Sequence, residues 1–166
     1  LPQMTFLVGE EKSCCPKTAG AMAKKAGKPM HYLVAEKKFE CPTKAREALV
    51  AATEKFVAAY GQPKVCKTSG TITVAGKKAC CAGTAASLAK SAKSAMDKVQ
   101  LTYQVGDKKC HCPVEAEKLA KDSGDVRVFL VGEQATACEM TARLNLAKAK
   151  VRAAVVALNQ TETEEN

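Results

Sequence analysis

Apolar side chains alternate with polar or small ones in five short stretches that close on Phe6/Val8, Tyr32/Val34, Ile72/Val74, Tyr103/Val105 and Phe129/Val131. A period of two is the signature of a half-buried strand. From each closing Val the chain counts six intervening residues to a Cys, then three more to an Ala. The pairs are Val8/Cys15, Val34/Cys41, Val74/Cys81, Val105/Cys112 and Val131/Cys138, followed by Ala19, Ala45, Ala85, Ala116 and Ala142. Three landmarks kept in register five times mark an internal repeat. Turn chemistry follows the Val at Gly9-Glu10-Glu11, Gly76-Lys77-Lys78, Gly106-Asp107-Lys108 and Gly132-Glu133-Gln134, so the chain can reverse into a second short strand that leads to the Cys. Ala35-Glu36-Lys37 is the one turn without Gly.

After the Cys stand Pro16, Pro42 and Pro113 in three copies. Proline suits the first helical position, and the Ala and long straight side chains that follow are good helix formers. The Cys is therefore expected to cap a helix. The predicted fold class is α+β, built from five tandem ββα repeats, each a β-hairpin plus a helix.

The first and fourth helices are predicted to be short, ending near Gly27 and Pro29 and near Ser123 and Gly124; in both cases the next signature Cys follows 26 residues after the last. The second and fifth are longer. Ala45, Leu49, Ala52, Phe56 and Tyr60 recur at helical spacing in one, and Leu144, Ala147, Val151, Val155 and Leu158 in the other. Repeats 1 and 2 thus match repeats 4 and 5 as a duplicated pair. The expected organisation is 1–61 for repeats 1 and 2, a connector at 62–70 carrying the unmatched Cys66, 71–160 for repeats 3 to 5, and a short acidic tail at 161–166.

Composition narrows the class. With 166 residues, 46% hydrophobic and 26% charged, the chain resembles a folded domain or two small ones. It has no Trp, four Phe and three Tyr, so its core must be assembled from small pieces. No stretch approaches the roughly 20 apolar residues of a membrane span. The net charge of +9 raises a nucleic-acid reading. Among 26 basic residues, however, only Arg46, Arg127, Arg143 and Arg152 are Arg. The lysines are dispersed, which fits a solvated surface, and no nucleic-acid partner is expected.

Nine cysteines are many for a reducing compartment, where they would need a metal or redox role. The opening Leu1-Pro-Gln-Met-Thr, without an initiator Met, reads as a trimmed product. An extracytoplasmic protein, periplasmic or secreted, with its signal peptide removed is expected. Helix N-termini and the nearby Lys37, Lys38, Lys77, Lys78, Lys108 and Lys109 should lower thiol pKa values and favour the thiolate, the form that ligates soft metals. Extra cysteines adjoin the signature one in Cys14-Cys15, Cys80-Cys81 and Cys110-His111-Cys112. His31 reads as a solvated edge residue. Met22, Met30, Met96 and Met140 read as core filler before thioether ligands.

The fourth repeat, from Tyr103 through Cys110-His111-Cys112-Pro113 to Leu119, resembles the YHS and TRASH-type modules, in which a hairpin delivers Cys to a helix start. The second, from His31 to Cys41, shows the same outline. Those families are associated with heavy-metal sensing, trafficking and copper or zinc binding, so the resemblance implies that Cys41 and Cys112 correspond to a first metal ligand. Such modules place a second Cys four residues on; here that place is Ala in every copy.

The expected role is binding rather than catalysis. The candidate ligands for copper(I) or zinc are Cys14, Cys15 and Cys41 in one half, with Cys80, Cys81, Cys110, His111 and Cys112 in the other. No catalytic or organic-cofactor residue is assigned: Walker, G-x-G-x-x-G and C-x-x-C motifs are missing. Two alternatives use the same cysteines. One is a disulfide-stapled scaffold presenting basic faces to a protein or anionic surface partner, with each bridge worth roughly 2–4 kcal/mol. Cys66 and Cys138 are its candidate bridge-formers or free thiols. The other is a thiol redox protein using Cys14-Cys15 or Cys80-Cys81.

Overall fold

Every landmark of the repeat takes the same structural place in all five copies. The computed structural model describes residues 1–160, so the predicted acidic tail lies outside the described residues. Among the described residues the chain is α+β, with five helices and three antiparallel sheets. Repeat 1 comprises β1 (Met4–Val8), β2 (Glu11–Ser13) and α1 (Pro16–Ala26); repeat 2 comprises β3 (Met30–Val34), β4 (Lys37–Phe39) and α2 (Pro42–Tyr60). A short strand β5 (Pro63–Val65) precedes repeat 3, formed by β6 (Ile72–Val74), β7 (Lys77–Ala79) and α3 (Ala82–Asp97). Repeat 4 is β8 (Thr102–Val105), β9 (Lys108–Cys110) and α4 (Pro113–Ser123), and repeat 5 is β10 (Arg127–Val131), β11 (Gln134–Thr136) and α5 (Glu139–Gln160). The chain divides into two compact bodies, Leu1–Phe56 and Val57–Asn166.

The fixed spacing has a simple cause. The signature Val closes the first strand on the face that the helix covers, and the signature Ala is the first residue whose N–H completes a helical turn. Its N–H donates to the Cys carbonyl at 3.0 Å in all five copies. All five Val are buried, and the five Ala are no more than 2% exposed. The helix start lies so close to the strand that only a methyl group fits, and a larger side chain would overpack the contact. Val74, Ala79 and Ala85 form one such small core, and Val105, Cys110 and Ala116 another.

Repeats pair through their first strands. The first sheet has the order β2-β1-β3-β4, with Phe6 opposite Tyr32 at its centre. The second has the order β11-β10-β8-β9, with Phe129 opposite Tyr103. Both aromatic pairs meet edge-on or tilted, at ring separations of 5.7 Å and 5.6 Å. Each pair of repeats is thus related by a local twofold axis through its aromatic pair. Arg127 lies over both rings of the second pair, 5.0 Å from Phe129 and 5.8 Å from Tyr103.

The segment 62–70, expected as a connector, contributes β5, which pairs with β6 and completes a three-stranded sheet of order β5-β6-β7. Led by Pro and three residues long, it has no strand pattern of its own; it is a strand because β6 offers it an open edge. His31 also differs from expectation. First-strand pairing makes β3 a central strand, so His31 is half-buried and its Nδ1 is enclosed with no hydrogen-bond partner among the described residues. In α5 the buried residues include Ala147, Ala154 and Leu158, while Val155 turns outward at 38% exposure. Lys77 Nζ donates to the Leu158 carbonyl at 2.6 Å, satisfying an acceptor in the last turn of α5. Beside it, α3 packs against α5.

The hairpins solve their turns in two ways. Gly9, Gly106 and Gly132 carry the positive φ at the first turn position. In repeats 2 and 3 two successive residues take it, Ala35 and Glu36 at φ 47° and 66° and Ala75 and Gly76 at φ 50° and 87°, a left-handed conformation that strains residues bearing a Cβ.

Candidate functional site

A cysteine at the N-cap is an unusual choice, because sulfur is a weaker acceptor than the oxygen of Ser, Thr or Asp. It becomes a good acceptor once ionised. The free N–H groups of the first helical turn, with the partial positive charge of the helix start, face the sulfur and stabilise the thiolate. This is visible in three of the capping cysteines, Cys15, Cys41 and Cys81. The thiols of Cys15 and Cys41 are lowered, each chiefly by the N–H three residues on, at Thr18 and Lys44. Cys81 and Cys66 are lowered further, both to about 7. The hairpin lysines expected to help are not among the causes.

Cys81 has the richest environment. Its Sγ accepts from the Thr84 N–H at 3.5 Å and lies 3.4 Å from the Thr84 hydroxyl, while Cys80 Sγ lies 3.2 Å from that same oxygen. The largest contributor to its lowered pKa is the Thr84 hydroxyl, followed by the Thr84 N–H, the Cys80 thiol and the Gly83 N–H. With Cys81 ionised, both the Thr84 hydroxyl and the Cys80 thiol act as donors towards it. Both cysteines are exposed. Neighbouring side chains on a strand diverge, but the strand ends at Ala79 and the helix begins at Ala82, so the two sulfurs converge on one hydroxyl.

Cys66 occupies a different setting. The loop after β5 closes on itself through Gly70 N–H to Cys66 O at 2.8 Å and Cys66 N–H to Thr71 O at 2.9 Å. The Ser69 hydroxyl, then the N–H groups of Ser69 and Thr68, lower its thiol. The Ser69 hydroxyl also donates to Thr71 Oγ1 at 2.9 Å, so the thiolate competes with that acceptor for its proton.

The other predicted ligands are placed less favourably. Cys110 is the last residue of β9 and belongs to the repeat-4 core, where burial, the largest cause, pushes its thiol up. The equivalent position of repeat 3 holds Ala79, which is likewise buried in its repeat's core, so the position serves packing. Cys112 caps α4 and is exposed. His111 turns back to the neighbouring strand, with Nδ1 3.4 Å from both Thr102 Oγ1 and Leu101 O. Cys14 and Cys15 are exposed at the start of α1.

Topology decides which cysteines can cooperate. Cys15 follows β2 and Cys41 follows β4, the two outer strands of one sheet. The antiparallel twofold sends them to diagonal corners, three strand spacings of about 4.8 Å apart across the sheet. The set Cys14, Cys15 and Cys41 is therefore not gathered. Cys80-Cys81 and Cys110/Cys112 stand on two different sheets. Among the described residues no three His, Cys, Asp or Glu side chains are grouped to hold an ion, and no disulfide joins any of the nine cysteines. The residue that sequence reading missed is Thr84. Its signal was available in the Cys-x-x-Thr spacing of Thr18, Thr84 and Thr141, which puts a hydroxyl at the third helical position, where capping partners act.

Compared with known proteins, the chain matches no family model, no curated protein and no solved structure.

Proposed function

We propose that this chain is an exported cysteine-rich repeat protein that binds a soft metal ion through the vicinal pair Cys80-Cys81. The observation that carries the reading is the convergence of two exposed sulfurs on the Thr84 hydroxyl, with Cys81 lowered to about 7. A soft ion needs thiolate, and half of Cys81 is in that form at neutral pH. The donor set favours copper(I) over zinc. Two thiolates suffice for a linear copper(I) site, whereas structural zinc takes four ligands, and no third Cys, His or carboxylate joins this pair among the described residues. On binding, the ion would take the place of the protons that the two sulfurs now share with Thr84.

Anaerobic titration with copper(I), held by a colorimetric chelator as competitor, tests the proposal. The chain is expected to take copper from the chelator at a site that C80S/C81S abolishes and C14S/C15S leaves intact. Equal uptake by C80S/C81S overturns it. The redox alternative is favoured by the same Cys81 thiolate. It predicts instead that a mild disulfide reagent links Cys80 to Cys81 with loss of two hydrogens, and that copper uptake is weak in every variant.

A further inference from the structure

The two complete sheets reveal how a ββα repeat behaves when it meets its like. First strands pair antiparallel about a central residue two positions before the signature Val: Phe6 with Tyr32, and Phe129 with Tyr103. Among the described residues repeat 3 has no such neighbour. Its corresponding residue is Ile72, and opposite Ile72 stands Val65 of β5. The register is the one a first strand would adopt. Pro63 faces the signature Val74 as Met4 faces Val34 and Arg127 faces Val105. Strand β5 therefore occupies, in the same register, the place of a missing repeat.

The substitute is a weak one. It makes three residue pairs where the β1–β3 ladder makes five, because the Cys66–Gly70 loop turns the chain back immediately. All three of its residues are exposed, with Val65 at 62%, so little apolar burial holds it down. Pro63 provides no N–H to the ladder. A strand edge covered so lightly is a template for pairing with another chain.

We infer that the β6 edge is a homotypic interaction surface, closed in the single chain by β5 and opened when β5 lifts, and that its partner is the β6 of a second copy. The dimer would place Ile72 opposite the partner subunit's Ile72, completing a four-stranded sheet of order β7-β6-β6-β7, the arrangement the other two sheets already have. Hydrogen bonds lost from β5 are regained from the partner strand. The inference is independent of any metal.

The test weakens β5 and reads both mass and register. In the full chain, P63G/K64S/V65G should self-associate at least about tenfold more tightly than the unaltered protein by sedimentation velocity. Adding Ile72→Cys to that background should yield, under mild oxidation, a cross-linked peptide joining the two copies at position 72, since directly paired strand residues lie within disulfide reach. A folded variant that stays monomeric overturns the inference, as does a dimer whose cross-links exclude position 72. Should the triple variant lose its circular dichroism, Val65→Asp alone decides, and it must shift self-association in the same direction.

Discussion

Replacing Thr84 by Val keeps the shape of the side chain and removes the hydroxyl that two sulfurs share. That hydroxyl is the largest of the influences lowering Cys81 from 9.0 to about 7. At pH 7 a thiol of pKa about 7 is half ionised, and one returned fully to 9.0 is about 1% ionised, so roughly fiftyfold is the ceiling on the loss of thiolate. The Thr84 N–H, the Gly83 N–H and the Cys80 thiol remain in T84V. The expected fall at pH 7 is therefore smaller, roughly threefold to tenfold. The pKa rises, so the reactive form appears at higher pH. The assay is the pH profile of iodoacetamide labelling at Cys81, resolved from Cys80 by fragmentation of the labelled peptide. A midpoint is a better measure than a single rate, because a more basic thiolate is also a better nucleophile and hides part of the loss. Thr84→Ser should restore the midpoint near 7. Should T84V titrate where the unaltered chain does, the hydroxyl is not what holds the thiolate, and the account of the site fails.

Other outcomes follow from packing and backbone geometry. Cys110, buried and with its thiol pushed up, should resist dilute iodoacetamide at pH 8 while Cys66 and Cys81 react, and should label only on addition of denaturant; mass spectrometry reads all three. Rewriting the Ala35-Glu36 turn as Asn-Gly should stabilise the chain by about 1 kcal/mol, the relief of two left-handed residues less the entropy of the new Gly, seen as a raised urea midpoint at constant slope. Leu158→Ala, at 1% exposure, should cost about 2–5 kcal/mol, whereas Val156→Ala on the same helix, at 55%, should stay within about 0.5 kcal/mol.

The ββα repeat was legible because Val, Cys and Ala each answer a local demand: a strand end on the covered face, a helix cap, and a methyl-sized contact in the first turn. What lay beyond one repeat was not legible. That β1 pairs with β3 and not with another hairpin is a long-range choice, and it alone turns His31 from an edge residue into a central one. Strand β5 has no pattern of its own and exists by virtue of the edge it covers. The predicted ligand sets failed to gather for the same reason: spacing along the chain brought Cys14, Cys15 and Cys41 into one group, but the twofold distributes them to opposite corners. The effect assigned to the hairpin lysines went instead to N–H and hydroxyl donors of the first helical turn, and Lys77 serves the end of α5. Cys80-Cys81, contiguous in sequence, converge on the Thr84 hydroxyl without help from topology.

The diagonal placement of capping cysteines within each pair has a consequence for how such a chain responds to its surroundings. Two thiolates held at opposite corners of one sheet, each under its own helix, barely sense one another through water and salt. Ionising one leaves the acidity of the other unchanged. Cys15 and Cys41 therefore ionise independently, where clustered sulfurs would couple and give up their protons in separated steps.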